Sequence, residues 1–145
     1  MYCRKEYRFS SDKLVLPDVL IIGVRKAGTG ALRHFLSLHP DLVVAPREKH
    51  FFDFKYERGL EWYASKLPKK QRTDQLLLEK TPRYFLIKNA PYRIANDLPN
   101  AKLIVVVREP VARVISEYSH FDYARQKKRY RRPFEVRYKH ISSYC

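Results

Sequence analysis

Arg25, Lys26 and Thr29 stand in a short loop, Gly23-Val-Arg-Lys-Ala-Gly-Thr-Gly30, between the apolar run Leu20-Ile21-Ile22 and a helical pattern from Ala31 to Leu38. A β-branched-rich run of this kind suits a strand covered on both faces. Gly23, Gly28 and Gly30 allow tight backbone geometry and close approach of a ligand, and Thr29 is placed to cap the helix. The unpaired amides of a helix N-terminus, flanked by Arg25 and Lys26, make an anion site. The chemistry this loop supports is the binding of a nucleotide phosphate or a sulfate.

The spacing separates the loop from two better-known phosphate binders. A P-loop needs Gly-x-x-x-x-Gly-Lys-Ser/Thr; here Gly23 and Gly28 have the right separation, but Thr29 and Gly30 follow and the lysine comes earlier, at Lys26. The later apolar run Leu103 to Val107 ends in Arg108, where a magnesium-binding aspartate would be wanted. A Gly-x-Gly-x-x-Gly dinucleotide fingerprint is absent.

The elements that must position this loop alternate along the chain. Leu42 to Ala45 is a second apolar run, Gly59 to Leu67 reads as a helix, and Leu76 to Leu78 is a third strand ending at Glu79-Lys80-Thr81-Pro82. Ala90 to Leu98 is a short helix, Lys102 to Val107 is the most strand-like segment, and Pro110 opens a helix through about Tyr123. Such alternation predicts an α/β fold with three layers, a mostly parallel central sheet with helices on both faces. In these sheets ligands bind beyond the carboxyl ends of the strands. The distinctive polar residues fall there: Arg25, Lys26 and Thr29 after the first strand; Glu48, Lys49, His50 and Asp53 after the second; Glu79 and Lys80 at the third; Arg108 after the fourth, with Ser116 in the next helix.

Composition bounds the partner. The chain has 145 residues, a formal net charge of +15 and 45% hydrophobic residues, the balance of one globular, strongly basic domain with a polyanionic partner. The cations crowd the end, where Arg125, Lys127, Lys128, Arg129, Arg131, Arg132, Arg137 and Lys139 meet only Glu135. Residues 1–15 read as an N-terminal extension, 16–123 as the domain and 124–145 as a basic C-terminal segment. Cys3 and Cys145 make neither a disulfide framework nor a metal site. No run approaches the roughly 20 apolar residues of a membrane span and no signal peptide is visible. A membrane anchor is therefore expected to be absent from this chain.

Four blocks carry a resemblance: Gly-Val-Arg-Lys-Ala-Gly-Thr29, Glu48-Lys-His-Phe-Phe-Asp53, Glu79-Lys-Thr-Pro-Arg-Tyr-Phe85 and Val-Arg108-Glu-Pro-Val-Ala-Arg-Val-Ile-Ser116-Glu-Tyr. In order and spacing, from about Leu16 to Tyr123, they resemble the carbohydrate sulfotransferases, above all the heparan sulfate glucosamine 3-O-sulfotransferases. The resemblance implies the sulfotransferase fold with a P-loop-like phosphosulfate-binding loop. It implies a donor, 3′-phosphoadenosine 5′-phosphosulfate, an acceptor glucosamine 3-hydroxyl of heparan sulfate, and the Golgi lumen as the place of work. By residue it implies that Arg25, Lys26, Ala27, Gly28, Thr29 and Gly30 cradle the 5′-phosphosulfate, while Arg108 and Ser116 hold the 3′-phosphate. Glu48 matches the catalytic base, with Lys26, His50 and Lys80 beside it in the chemistry and Asp53 and His120 on the acceptor side. No metal is implied. Sulfuryl transfer relies on positioning and cationic stabilisation, and a sugar hydroxyl needs a base, so the physical roles agree.

The chain departs from the family pattern at three places. Ala27 stands where glycine is usual, Gly30 where arginine is usual, and His120 where glutamine is usual. The family's catalytic domains run further, so the expectation is a fold truncated on its C-terminal side. Plainer readings stand beside these: Glu48 paired with Arg47 or Lys49, His50 hydrogen-bonded in the core, Phe51, Phe52 and Trp62 as core, Glu79 orienting Lys80 or Arg108, Arg113 paired with Glu117, and Glu109 and Asp122 solvated. For the whole chain, the alternatives are an inactive heparan sulfate-binding fragment and a basic nucleic-acid binder. No nucleic-acid motif is present to favour the second.

Overall fold

A computed structural model of the chain describes residues 14–126. Cys3, Cys145, most of the N-terminal extension and all but the start of the basic C-terminal segment lie outside the described residues. Five helices, two 3-10 turns and four strands alternate: β1 (Val19–Gly23), α1 (Thr29–Leu36), β2 (Leu42–Val44), α2 (Phe51–Phe54), a 3-10 turn at Tyr56–Arg58, α3 (Gly59–Ser65), β3 (Leu76–Lys80), a 3-10 turn at Tyr84–Leu86, α4 (Ala90–Asp97), β4 (Lys102–Val105) and α5 (Pro110–Gln126). The described chain divides at Val107/Arg108 into a sheet unit and a unit carrying α5.

The sheet is wholly parallel, in the order β2-β3-β1-β4. Alternation along β1 sends its side chains to opposite faces, and both faces are covered. Leu20 joins Phe51, Phe52, Tyr63, Tyr84, Ala90 and Ile94 beneath α2, α3 and α4. Val19 and Ile21 pack with Leu78, Leu32, Leu36 and Ile104 on the α1 side. The expected three layers are present. The larger core is aromatic: Phe51 stacks on Tyr63 with centroids 4.3 Å apart, and Phe52 meets Tyr63 and Tyr84 edge to face at 5.6 and 5.4 Å. Phe51 and Phe52 are core residues, as expected. β4 forms the outer edge beside β1, and Leu103 and Val105 on it are exposed.

Boundaries differ from the sequence reading at several elements, α1, β3 and β4 among them. α1 runs Thr29–Leu36 instead of Ala31–Leu38, and Thr29 does not cap it. Gly28, at φ 100°, is the N-cap, and Thr29 is drawn into the interior at 5% exposure. Only glycine takes that left-handed turn cheaply, so the chain bends one residue earlier than the hydroxyl suggested. β3 continues through Lys80 because Glu79 and Lys80 still pair with Leu20 and Ile21. β4 stops at Val105, two residues short of the apolar run.

Gly23 is required by packing. A Cβ there would lie 2.5 Å from the Cβ of Phe85 and 2.9 Å from its Cγ. Gly23→Ala is expected to cost about 1–3 kcal/mol of stability, as overpacking does. Trimming Phe85 to Ala leaves the nearest clash in place, so denaturant melts of the single and double variants should both show the loss.

In the second unit, Glu109 accepts hydrogen bonds from the amides of Val111 (2.9 Å) and Ala112 (2.6 Å). It caps α5 just ahead of Pro110. The expectation that Glu109 is merely solvated is corrected: it is exposed, yet these two backbone bonds hold its carboxyl below the usual glutamate range. Arg113 pairs with Glu117 at 3.6 Å along the same helix, as the i, i+4 spacing predicted.

Candidate functional site

The parallel order places the carboxyl ends of β2, β3 and β1 side by side. Each end delivers a segment. After β1 the backbone turns through Lys26 at φ 65° and Gly28 at φ 100°. The first helical hydrogen bond runs from Leu32 N–H to Gly28 O at 3.0 Å. The amides of Gly28, Thr29, Gly30 and Ala31 are therefore left at the loop mouth without an intrahelical acceptor. A Cβ built on Gly28 or Gly30 meets nothing within 4 Å. Space, amides and nearby cations are what a bound phosphosulfate requires.

After β2 the chain climbs through Pro46 and Arg47 to Glu48. Arg33 of α1 reaches across to donate to Pro46 O and ties this segment to the helix. His50 adopts φ 53°, a left-handed conformation rare outside glycine. Three side chains from below hold the backbone there. Lys49 N–H donates to Glu79 Oε1 and Thr81 Oγ1, both at 3.2 Å, and Phe51 N–H donates to Tyr84 Oη at 3.0 Å.

These anchors bring four expected residues into one connected cluster. Lys80 Nζ lies 2.6 Å from Glu48 Oε1. Glu48 Oε2 lies 3.3 Å from His50 Nε2, and His50 Nδ1 lies 2.8 Å from Asp53 Oδ2. The Asp53 carboxyl has no exposed surface, and Arg83 Nε approaches it at 3.6 Å without a hydrogen bond. Arg93 braces the turn by donating to Phe52 O at 2.8 Å. Glu48 thus pairs with Lys80 and His50, not with Arg47 or Lys49. His50 is half-buried between two carboxylates, not a core residue. Lys80 shares the α1 side of the sheet with Ile21, its register partner, and Leu78.

Glu79 departs from the sequence reading. It has no exposed surface and does not pair with Lys80, whose partner is Glu48. Alternation points it to the opposite face, where Thr81 Oγ1–H and Lys49 N–H donate to Oε1 and Tyr63 Oη–H to Oε2. Burial pushes its carboxyl above the ordinary range, against the hydrogen bonds from Thr81 and the Lys49 amide. The same burial, with Glu79 beside them, raises the phenols of Tyr63 and Tyr84. Reading missed this buried group, and the signal was present: an acid continuing the apolar run Leu76-Leu77-Leu78 in a central strand must face an interior.

Arg108, Ser116 and His120 belong to the second unit. Arg108 precedes α5 and is exposed, Ser116 is half-buried in the helix, and His120 is exposed further along it. Among the described residues, no group of three His, Cys, Asp or Glu side chains is arranged to hold a metal ion. None of the described helices is long and apolar enough to cross a membrane.

Comparison with known proteins adds three findings. The family model for the sulfotransferase domain matches residues 16–144. The chain is 53% identical over 103 residues to human heparan sulfate glucosamine 3-O-sulfotransferase 6, covering 71% of this chain and 30% of that protein. It is 49% identical over 104 residues to mouse heparan sulfate glucosamine 3-O-sulfotransferase 3B1, covering 72% and 26%. The chain therefore spans less than a third of the length of these relatives. Among solved structures, a sulfotransferase from Alicyclobacillus acidocaldarius superposes with a TM-score of 0.69 over 84% of this chain and 55% of that one, at 24% identity. That likeness is one of fold.

Proposed function

The chain belongs to the sulfotransferase domain family, and from that premise we propose that it is the donor-loop portion of a heparan sulfate glucosamine 3-O-sulfotransferase. The observation that carries this reading is the Lys80–Glu48–His50–Asp53 cluster, standing at strand ends beside an open loop of free amides. The donor is 3′-phosphoadenosine 5′-phosphosulfate. The residues fit it: Gly28 and Gly30 leave room, the amides of residues 28–31 have no intrahelical acceptor, and Arg25 and Lys26 flank them in sequence. Ala27 and Thr29 complete the loop, and Arg108 and Ser116 are assigned to the 3′-phosphate on family resemblance.

In the transfer, the acceptor oxygen bonds to sulfur, the sulfur–phosphate oxygen bond breaks, and the hydroxyl proton goes to Glu48. Lys80 pairs with Glu48 and brings positive charge to the transferring group. Asp53 accepts a hydrogen bond from His50 Nδ1–H and so orients the ring, and once Glu48 has taken the hydroxyl proton, Nε2 can accept it from Glu48 Oε2. Lys26, a compact cation on a flexible stem, meets the charge left on the donor. Asp53 and His120 are assigned to the acceptor side. Heparan sulfate is the partner, and the Golgi lumen is the compartment that the family resemblance implies.

The test is calorimetric titration with adenosine 3′,5′-bisphosphate, with ATP and AMP as controls. Selective binding that weakens at least tenfold in Arg108→Ala is expected. A folded sample that binds none of the three overturns the donor assignment.

A further inference from the structure

On the face of the sheet away from α1 lies a group of cations with no role in the transfer. Lys55 Nζ, Arg58 Cζ and Lys66 Nζ stand 5.5, 5.0 and 6.0 Å from the ring centroid of Trp62. The indole is half-buried and backed by Phe51, whose ring lies nearly parallel at 6.5 Å. Among the described residues no carboxylate pairs with these three cations, nor with Arg47 or Lys49. Some other cations of the sheet unit do pair with acids: Lys70 with Asp18, Arg72 with Asp41 and Asp74, Lys80 with Glu48. Around Trp62 the aromatic ring replaces the acid. A ring quadrupole holds a cation in place without neutralising it, so three full charges gather on one platform.

The group is continuous with the reaction centre. Lys55 Nζ donates to Lys49 O at 3.1 Å, and Lys49 follows Glu48 directly. Crowding of charge is felt at Lys49 itself: burial first, then Lys55, Arg47 and Lys66, lowers its ammonium against the pull of Glu79.

We propose that Trp62, Lys55, Arg58 and Lys66 form an anionic-polysaccharide subsite, taking the sulfate groups of acceptor residues flanking the one held at Glu48. It rests on the polysaccharide acceptor proposed above and extends it to a second contact. The occupant follows from charge complementarity: closely spaced, unneutralised cations match the closely spaced sulfates of one strand, and arginine and lysine donors on a rigid ring meet sulfate oxygens directly.

The test compares heparin affinity as a function of salt for the full chain, for Arg58→Gln/Lys66→Gln and for Lys88→Gln/Lys102→Gln, which removes equal charge from exposed sites on other segments. Lys55 is kept because it braces Lys49. Removing two contacts is expected to lower the slope of log affinity against log salt by about 1.5 and to weaken binding roughly tenfold or more, with adenosine 3′,5′-bisphosphate binding unchanged. The distant pair should lose far less. Trp62→Leu, which scatters the cations while keeping them, should also weaken heparin in a variant that circular dichroism shows to be folded. Equal losses in both pairs reduce the effect to bulk charge and overturn the subsite. A DNA oligonucleotide of matched charge that binds as tightly as heparin overturns the polysaccharide assignment. A wild-type chain that fails to bind heparin overturns the acceptor reading itself.

Discussion

Glu48→Gln is expected to lower sulfuryl transfer by on the order of 10²–10⁴, the range lost when a general base is removed, while leaving adenosine 3′,5′-bisphosphate affinity unchanged. Glutamine keeps the shape of the side chain and can still accept from Lys80, so the loss isolates proton transfer. The cluster also predicts what accompanies it. His50 loses the group whose proton it would receive, so His50→Ala added to Glu48→Gln should cost little more; the two act as one unit. A single-turnover assay with the complete catalytic domain carrying this segment measures both. Retained turnover in Glu48→Gln would remove Glu48 from the base role and leave the Lys80–Glu48 contact as a structural pair.

Glu79→Leu is expected to destabilise the fold by about 3 kcal/mol or more. Three donors, the Lys49 amide and the hydroxyls of Thr81 and Tyr63, converge on this carboxyl, and each buried donor left unmatched costs about 1–3 kcal/mol. The loss should reach the chemistry, because Lys49 and His50 then lose the support that holds the left-handed turn under Glu48. The acidity of Glu79 gives a second handle. Burial raises its folded value above the ordinary glutamate range, so the folded chain holds this proton more tightly than the unfolded one. Stability is then full below the ordinary glutamate value and falls as pH rises through the raised folded value. Glu79→Gln should flatten that slope. Denaturant melts from about pH 4 to pH 8 check both statements, and a steeper slope in Glu79→Gln would show that another group controls it.

Much of this architecture was legible because the chain writes it in alternating periods. The Leu20–Ile22 run, the Gly-containing loop and Pro110 each announced an element that the fold contains. The reading failed at Thr29, where a good capping hydroxyl competed with a glycine one residue earlier and lost to backbone geometry. The cluster of Glu48, His50, Asp53 and Lys80 was legible as a set of strand-end residues, but their pairings were not. Sequence neighbours suggested Arg47 and Lys49 as partners of Glu48, whereas a strand some thirty residues on supplies the actual cation, Lys80. Glu79 departs from the sequence reading for the same reason: its surroundings come from segments distant in the chain. Glu109 was read as solvated because a cap depends on where the helix begins, which composition leaves open by a residue or two.

The wholly parallel sheet has a consequence for how the molecule is made. β1 does not pair with β2, the next strand in sequence, because the order β2-β3-β1-β4 places β3 between them. Its partners are Leu78 and Lys102 opposite Val19, both far downstream. As the chain leaves the ribosome, the strand that carries the Gly28–Gly30 loop emerges first and waits longest, an apolar segment with open edges on both sides until β3 and then β4 arrive. Sheets of this kind form slowly and expose sticky intermediates. During that interval Val19–Ile22 is the segment of the sheet most open to wrong pairing, until β3 and β4 close its two edges.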